Sequence, residues 1–163
     1  LWEQMAMDGP TCARSLIATV PLFGLFAVTY RWPIGSLQRI KDLLLDVMGP
    51  PLAACRWYDL PLLAALAGLG EELLFRGVLQ VGLDGWLGRG FGWIAASVVF
   101  GLAHAVTPTY AVVAGVIGLH LGALLYVWQP PNLLIPILVH GFYDYAAFVV
   151  LRADYQQRQA APR

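Results

Sequence analysis

Glu71-Glu72-Leu73-Leu74-Phe75-Arg76 sets two adjacent carboxylates and a guanidinium inside a run that otherwise reads as a membrane-spanning helix. Each ionised side chain at the centre of such a helix costs roughly 2.5 to 3.5 kcal/mol, so three left unpaired would cost on the order of 8 to 10 kcal/mol. The chain must therefore fold so that these groups meet one another or other polar groups.

Composition supplies the membrane setting. Of 163 residues, 59% are hydrophobic and only 12% charged, far from the usual soluble balance. Windows of about 19 residues mark candidate spans at Ser15 to Tyr30, Leu60 to Gly82, Phe91 to Ala105, Tyr110 to Trp128 and Leu133 to Leu151. The expected fold is all-α, a polytopic transmembrane helical bundle of about five spans. No linker is long enough to divide it and no internal repeat appears, so residues 1–163 are expected to form a single membrane-embedded domain. Trp2, Glu3 and Asp8 precede the first apolar run without a basic n-region or small-residue cleavage site, unlike a signal peptide.

Between the first two spans, Leu37, Ile40, Leu43, Leu44 and Val47 recur at helical spacing among Gln38, Arg39, Lys41, Asp42 and Asp46. This predicts an amphipathic helix over Gly35 to Gly49, ended by Pro50-Pro51, lying along the interface or packed on the bundle. Small residues recur within the spans at Gly68 and Gly70, Gly101 and Ala105, and Gly115, Gly118 and Gly122. Such residues let membrane helices approach closely.

Ten basic and ten acidic residues give zero net charge, so no basic field invites nucleic acid. With five spans, Arg31, Arg39, Lys41, Arg56, Arg152, Arg158 and Arg163 share one face, against Arg14 and Arg89 on the other. The positive-inside rule then places the C-terminus of this multi-pass protein in the cytoplasm. Cys12 and Cys55 are too few for a disulfide framework or metal knuckle and read as small apolar fillers.

Three polar constellations fall at membrane depth. Glu72 and Arg76, four apart, share a helical face and can pair. Glu71 lies about 100° round the helix, free for another task. Phe100 and His104 close one apolar segment, and His140 and Asp144 lie within the last, again four apart. Two glutamates, two histidines and an aspartate on three helices read as one buried polar site.

A carboxylate beside imidazoles in a dry pocket can hold a water and take its proton, while the remaining donors face a developing oxyanion. Glu71 activating water, His104 helping to bind it, and His140 with Asp144 facing the scissile carbonyl would serve peptide hydrolysis. The same residue types suit a divalent metal such as zinc, for which Glu71, His104, His140 and Asp144 are the candidate ligands. The reaction thus needs either no cofactor or a metal, and the metalloprotease pattern His-Glu-x-x-His is absent. His120 fits none of the three constellations and reads as a packing or hydrogen-bonding residue. Trp86, Trp93 and Trp128 read as interfacial anchors.

Glu-Glu-x-x-x-Arg, Phe-x-x-x-His and His-x-x-x-Asp, in this order across about residues 60–151, resemble the CPBP intramembrane proteases. These include the type II CAAX prenyl endopeptidases and bacteriocin-processing or immunity proteins. The resemblance implies a glutamate-dependent or metal-assisted endopeptidase acting on a membrane-associated protein or peptide within the bilayer. Glu71 would activate water, Arg76 would orient Glu72, and His104, His140 and Asp144 would surround the carbonyl. Asp144 stands where the prenyl endopeptidases typically carry asparagine, and the chain is shorter than eight-span members. The alternatives are a catalytically silent membrane immunity or scaffold protein and an ion transporter.

Overall fold

The computed structural model describes residues 5–161, so Trp2, Glu3 and Arg163 of the sequence reading lie outside the described residues. It is all-α. In order come α1 (Gly9–Arg31), α2 (Ser36–Ala54), α3 (Asp59–Glu72), a π-helical segment (Leu73–Gln80), α4 (Val81–Leu87), α5 (Arg89–Ala103), α6 (Pro108–Val127) and α7 (Leu134–Ala160).

Local chemistry sets the boundaries. Asp8 caps α1 by accepting from the Thr11 backbone N–H at 2.7 Å, and Thr107 caps α6 by accepting from Tyr110 N–H at 3.1 Å. Each of these helices has a proline in its first turn, where no N–H is needed. Gly88, at φ +83°, makes the sharp break between α4 and α5.

Three helices, α1, α6 and α7, are long and apolar enough to cross a membrane, which makes the protein integral and multi-pass. The expected five is thus met by three. α5 is apolar but has only 15 residues, and the run from Asp59 to Leu87 is divided by the π-helical segment.

α2 also departs from expectation. It continues through Pro50 and Pro51 to Ala54, because both prolines sit on its exposed side near its end, where carbonyls deprived of a partner need not be buried. Its buried positions are Ile40, Leu45, Gly49 and Leu52, while Val47 is exposed.

α7 is the shared packing element. Leu151 joins Leu45 and Leu52 of α2 and Leu60 of α3 in one core cluster. Ile135 and Val139 join Ala18 and Leu22 of α1 and Ile117, Leu121 and Leu124 of α6 in another. At one end, Asp154 of α7 accepts from Tyr30 of α1 at 2.7 Å and pairs with Lys41 of α2 at 3.1 Å.

Two close crossings fix the polar centre. A Cβ on Gly68 of α3 would come within 2.9 Å of the Gly141 nitrogen and the Ile137 carbonyl oxygen of α7. One on Gly101 of α5 would come within 2.6 Å of the Ala111 carbonyl oxygen of α6. Only glycine permits these contacts, and each lies three or four residues before a site residue: Glu71 and Glu72 after Gly68, His104 after Gly101.

A polar seam ties the run from Asp59 to Leu87 to α6. Arg76 Nη2 donates to Gly118 O at 2.9 Å, Gln80 Nε2 donates to Gly122 O at 3.0 Å, and Tyr126 donates to Asp84. All three pairs are 42 residues apart, so the two helical runs lie parallel and in register. In an α-helix a step of four residues overshoots a full turn by about 40°. The wider π-helical turns offset that drift between Arg76 and Gln80 and keep both over α6.

Candidate active site

The crossing at Gly68 brings the end of α3 against the first half of α7. Glu72, fully buried, accepts at Oε1 from Arg76 Nη1 at 2.9 Å and from His140 Nδ1 at 2.8 Å. Arg76, 1% exposed, is in turn held by Gly118 O and stacks over the Phe100 ring, 4.5 Å from its centroid. The charges expected to be costly in lipid thus meet inside the bundle, where a guanidinium spans a carboxylate and a carbonyl.

Glu71 points the other way, onto a cavity of about 370 Å³ that His104, His140 and Asp144 also line. Its Oε2 lies 3.4 Å from His104 Nε2 and 4.0 Å from His140 Nε2. Asp144 Oδ2 is 3.5 Å from the same His140 nitrogen. His104 sits at the C-terminal cap of α5, its Nδ1 2.8 Å from Phe100 O. A backbone carbonyl only accepts, and the Glu72 carboxylate likewise, so the assigned tautomer of each neutral ring carries its proton on Nδ1. Both Nε2 atoms then present lone pairs towards Glu71.

Phe100 organises the site from behind. Its ring lies 4.4 Å from His104, 6.1 Å from His140 edge-on and 4.9 Å from Phe75.

All six residues singled out from the sequence, Glu71, Glu72, Arg76, His104, His140 and Asp144, thus gather in one region, with Arg76 buried behind the cavity wall. The sequence reading overlooked Tyr110, which lines the cavity together with Tyr143. It also overlooked Gln80, although its place four residues after Arg76 was a usable signal. Trp93 donates Nε1–H to Leu119 O at 2.9 Å. His120 bonds through Nε2 to Ala18 O at 2.8 Å, joining α6 to α1.

Glu71, His104, His140 and Asp144 are donors of the kind zinc accepts, and each imidazole engages its second nitrogen as metal ligands commonly do. Yet among the described residues no three or more His, Cys, Asp or Glu side chains are grouped as a metal ion requires.

The helical membrane bundle thus sets Glu71, His104, His140 and Asp144 along one cavity, with Glu72 fully buried behind it. The chain matches the family model described as Type II CAAX prenyl endopeptidase Rce1-like over residues 51–146, more than half its length, and belongs to that family. No curated protein and no solved structure matches it.

Proposed function

We propose that the protein is an intramembrane endopeptidase that hydrolyses a peptide bond of a membrane-associated protein or peptide with water activated by Glu71. The observation carrying this reading is the convergence of His104 Nε2 and His140 Nε2 on Glu71 Oε2 at the cavity wall.

A water held by the Glu71 carboxylate at the cavity gives it one proton and directs the other to His104 Nε2. As the first proton leaves, the water oxygen bonds to the scissile carbonyl carbon and the carbonyl pair moves onto its oxygen. When that pair returns, the C–N bond breaks and the proton held by Glu71 passes to the leaving nitrogen. The products are a carboxyl group and an amine. Glu72 fixes the His140 ring, Arg76 fixes Glu72, and Asp144 flanks His140 from the next helical turn. A metal at the cavity donors would supply a more acidic water and a Lewis acid. The steps above run on the chain's own groups.

In the same reading the run from Asp59 to Leu87 and α5 also cross the bilayer, giving five spans with a cytoplasmic C-terminus. α2 then lies at the cytoplasmic interface, over the cavity that Leu37, Ile40 and Lys41 help to line. The parallel register of the α3–α4 run with α6 supports this path, since a single return by α5 separates them.

The test compares membranes from cells expressing the wild type and Glu71→Gln, seeking cleaved peptide ends that depend on Glu71, with and without a chelator. Glu71-dependent ends are expected, and their loss with chelator would favour a metal-assisted route. Equal peptide ends from two well-expressed forms would overturn the protease reading in favour of a silent immunity or scaffold protein.

A further inference from the structure

Resting on the proposed hydrolysis, the geometry points to Tyr110 as a further catalytic residue, whose phenol O–H donates a hydrogen bond to the carbonyl oxyanion. The need for such a donor arises from the site itself. An ionised Asp144 offers only acceptors, and the Nδ1–H groups of His104 and His140 are engaged by Phe100 O and Glu72. Arg76 is bound to Glu72 and Gly118 O behind the wall.

The other side chains lining the cavity narrow the choice. Thr29 donates to Leu25 O at 2.8 Å, Tyr30 donates to Asp154, and Lys41 pairs with Asp154. Two hydroxyls remain, those of Tyr110 and Tyr143, and neither has a hydrogen-bond partner among the described residues. Tyr143 is packed into the α1–α6–α7 core cluster and meets Phe26 edge-on at 6.0 Å. Tyr110 occupies the first turn of α6, where the Thr107 cap holds its backbone nitrogen, just beyond the α5 terminus that carries His104. Tyr110 lines the same cavity as Glu71, His104 and Asp144.

A neutral O–H suits this position because it stabilises the charge that develops on oxygen without drawing a counter-charge into the membrane. No proton is transferred: Tyr110 donates the hydrogen bond while Glu71 carries the water proton to the leaving nitrogen. Tyr110 thereby takes over the donor task that an asparagine at position 144 would perform.

The test uses the full-length protein in membranes and follows the rate at which Glu71-dependent peptide ends appear. Tyr110→Phe, which keeps the ring, should slow that rate about 100-fold, the usual effect of removing one oxyanion donor. Its unfolding temperature in detergent should match the wild type. Adding Asp144→Asn to Tyr110→Phe should recover at least about tenfold of the loss by restoring a donor. A Tyr110→Phe rate within about twofold of wild type, or a loss that Asp144→Asn leaves untouched, overturns the assignment. If Glu71→Gln abolishes cleavage while Tyr110→Phe does not, this inference alone fails. If no end depends on Glu71, both it and the proposed function fail.

Discussion

Glu72 and His140, 68 residues apart in sequence, are joined by a hydrogen bond of 2.8 Å between Oε1 and Nδ1, and Arg76 donates to the same Oε1. One carboxylate oxygen therefore fixes both the guanidinium behind the site and the imidazole in front of it. Arg76→Ala should cost about 3 to 5 kcal/mol, because it strands a fully buried carboxylate. Thermal unfolding in detergent checks this. Arg76→Lys should lose less, since a single ammonium keeps the charge but cannot bridge Glu72 and Gly118 O in the guanidinium's planar geometry.

Glu71→Gln should behave differently. Glu71 is part exposed to the cavity and makes no pair with Arg76 among the described residues, so its amide analogue keeps the shape without stranding a charge. The unfolding temperature should stay near that of the wild type while cleavage is lost. A large drop in stability would assign Glu71 to the scaffold.

The crossing of α3 and α7 supplies a third prediction, with its own control. Gly68→Ala forces a methyl to within 2.9 Å of backbone atoms of α7, which cannot swing aside as a side chain can. The helices must separate, at about 1 to 3 kcal/mol, and Glu71 is drawn away from His140. Gly70→Ala, where nothing lies within 4 Å of the added carbon, should leave both stability and cleavage near wild type. Equal effects from the two substitutions would remove the crossing as the cause.

These glycines show how far the sequence could be read. The i,i+4 spacing of Glu72 with Arg76, and of His140 with Asp144, is local geometry, so which side chains share a helical face could be read without a fold. Which small residue closes on which helix could not, since Gly68 and Gly70 differ only in what stands opposite them. The π-helical turns were hidden for the same reason: no residue type demands them, and their register makes sense only against the carbonyls of α6. The passage of α2 through Pro50 and Pro51 likewise depends on those prolines facing outward. Tyr110 escaped notice because it belongs to no spaced motif and reaches the cavity only through the return of the chain between α5 and α6.

Gln80, at the end of the π-helical segment, forms the middle rung of the seam to α6, and its worth follows from both ends of its amide. Nε2 donates to Gly122 O at 3.0 Å, whereas buried Oε1 has no partner among the described residues. Interhelical hydrogen bonds in membranes average about 0.6 kcal/mol and reach about 1.7 kcal/mol, while an unpartnered buried acceptor carries a penalty of about 1 to 3 kcal/mol. Gln80→Leu removes both terms in a similar volume, so the two largely cancel and stability should change by less than about 1 kcal/mol. Gln80→Ala should lose considerably more, because it opens a cavity at a fully buried position. Unfolding of the two variants in the same detergent separates packing from hydrogen bonding. A Gln80→Leu loss as large as that of Gln80→Ala would mean that the hydrogen bond to Gly122, and not the volume of the side chain, holds the seam in register.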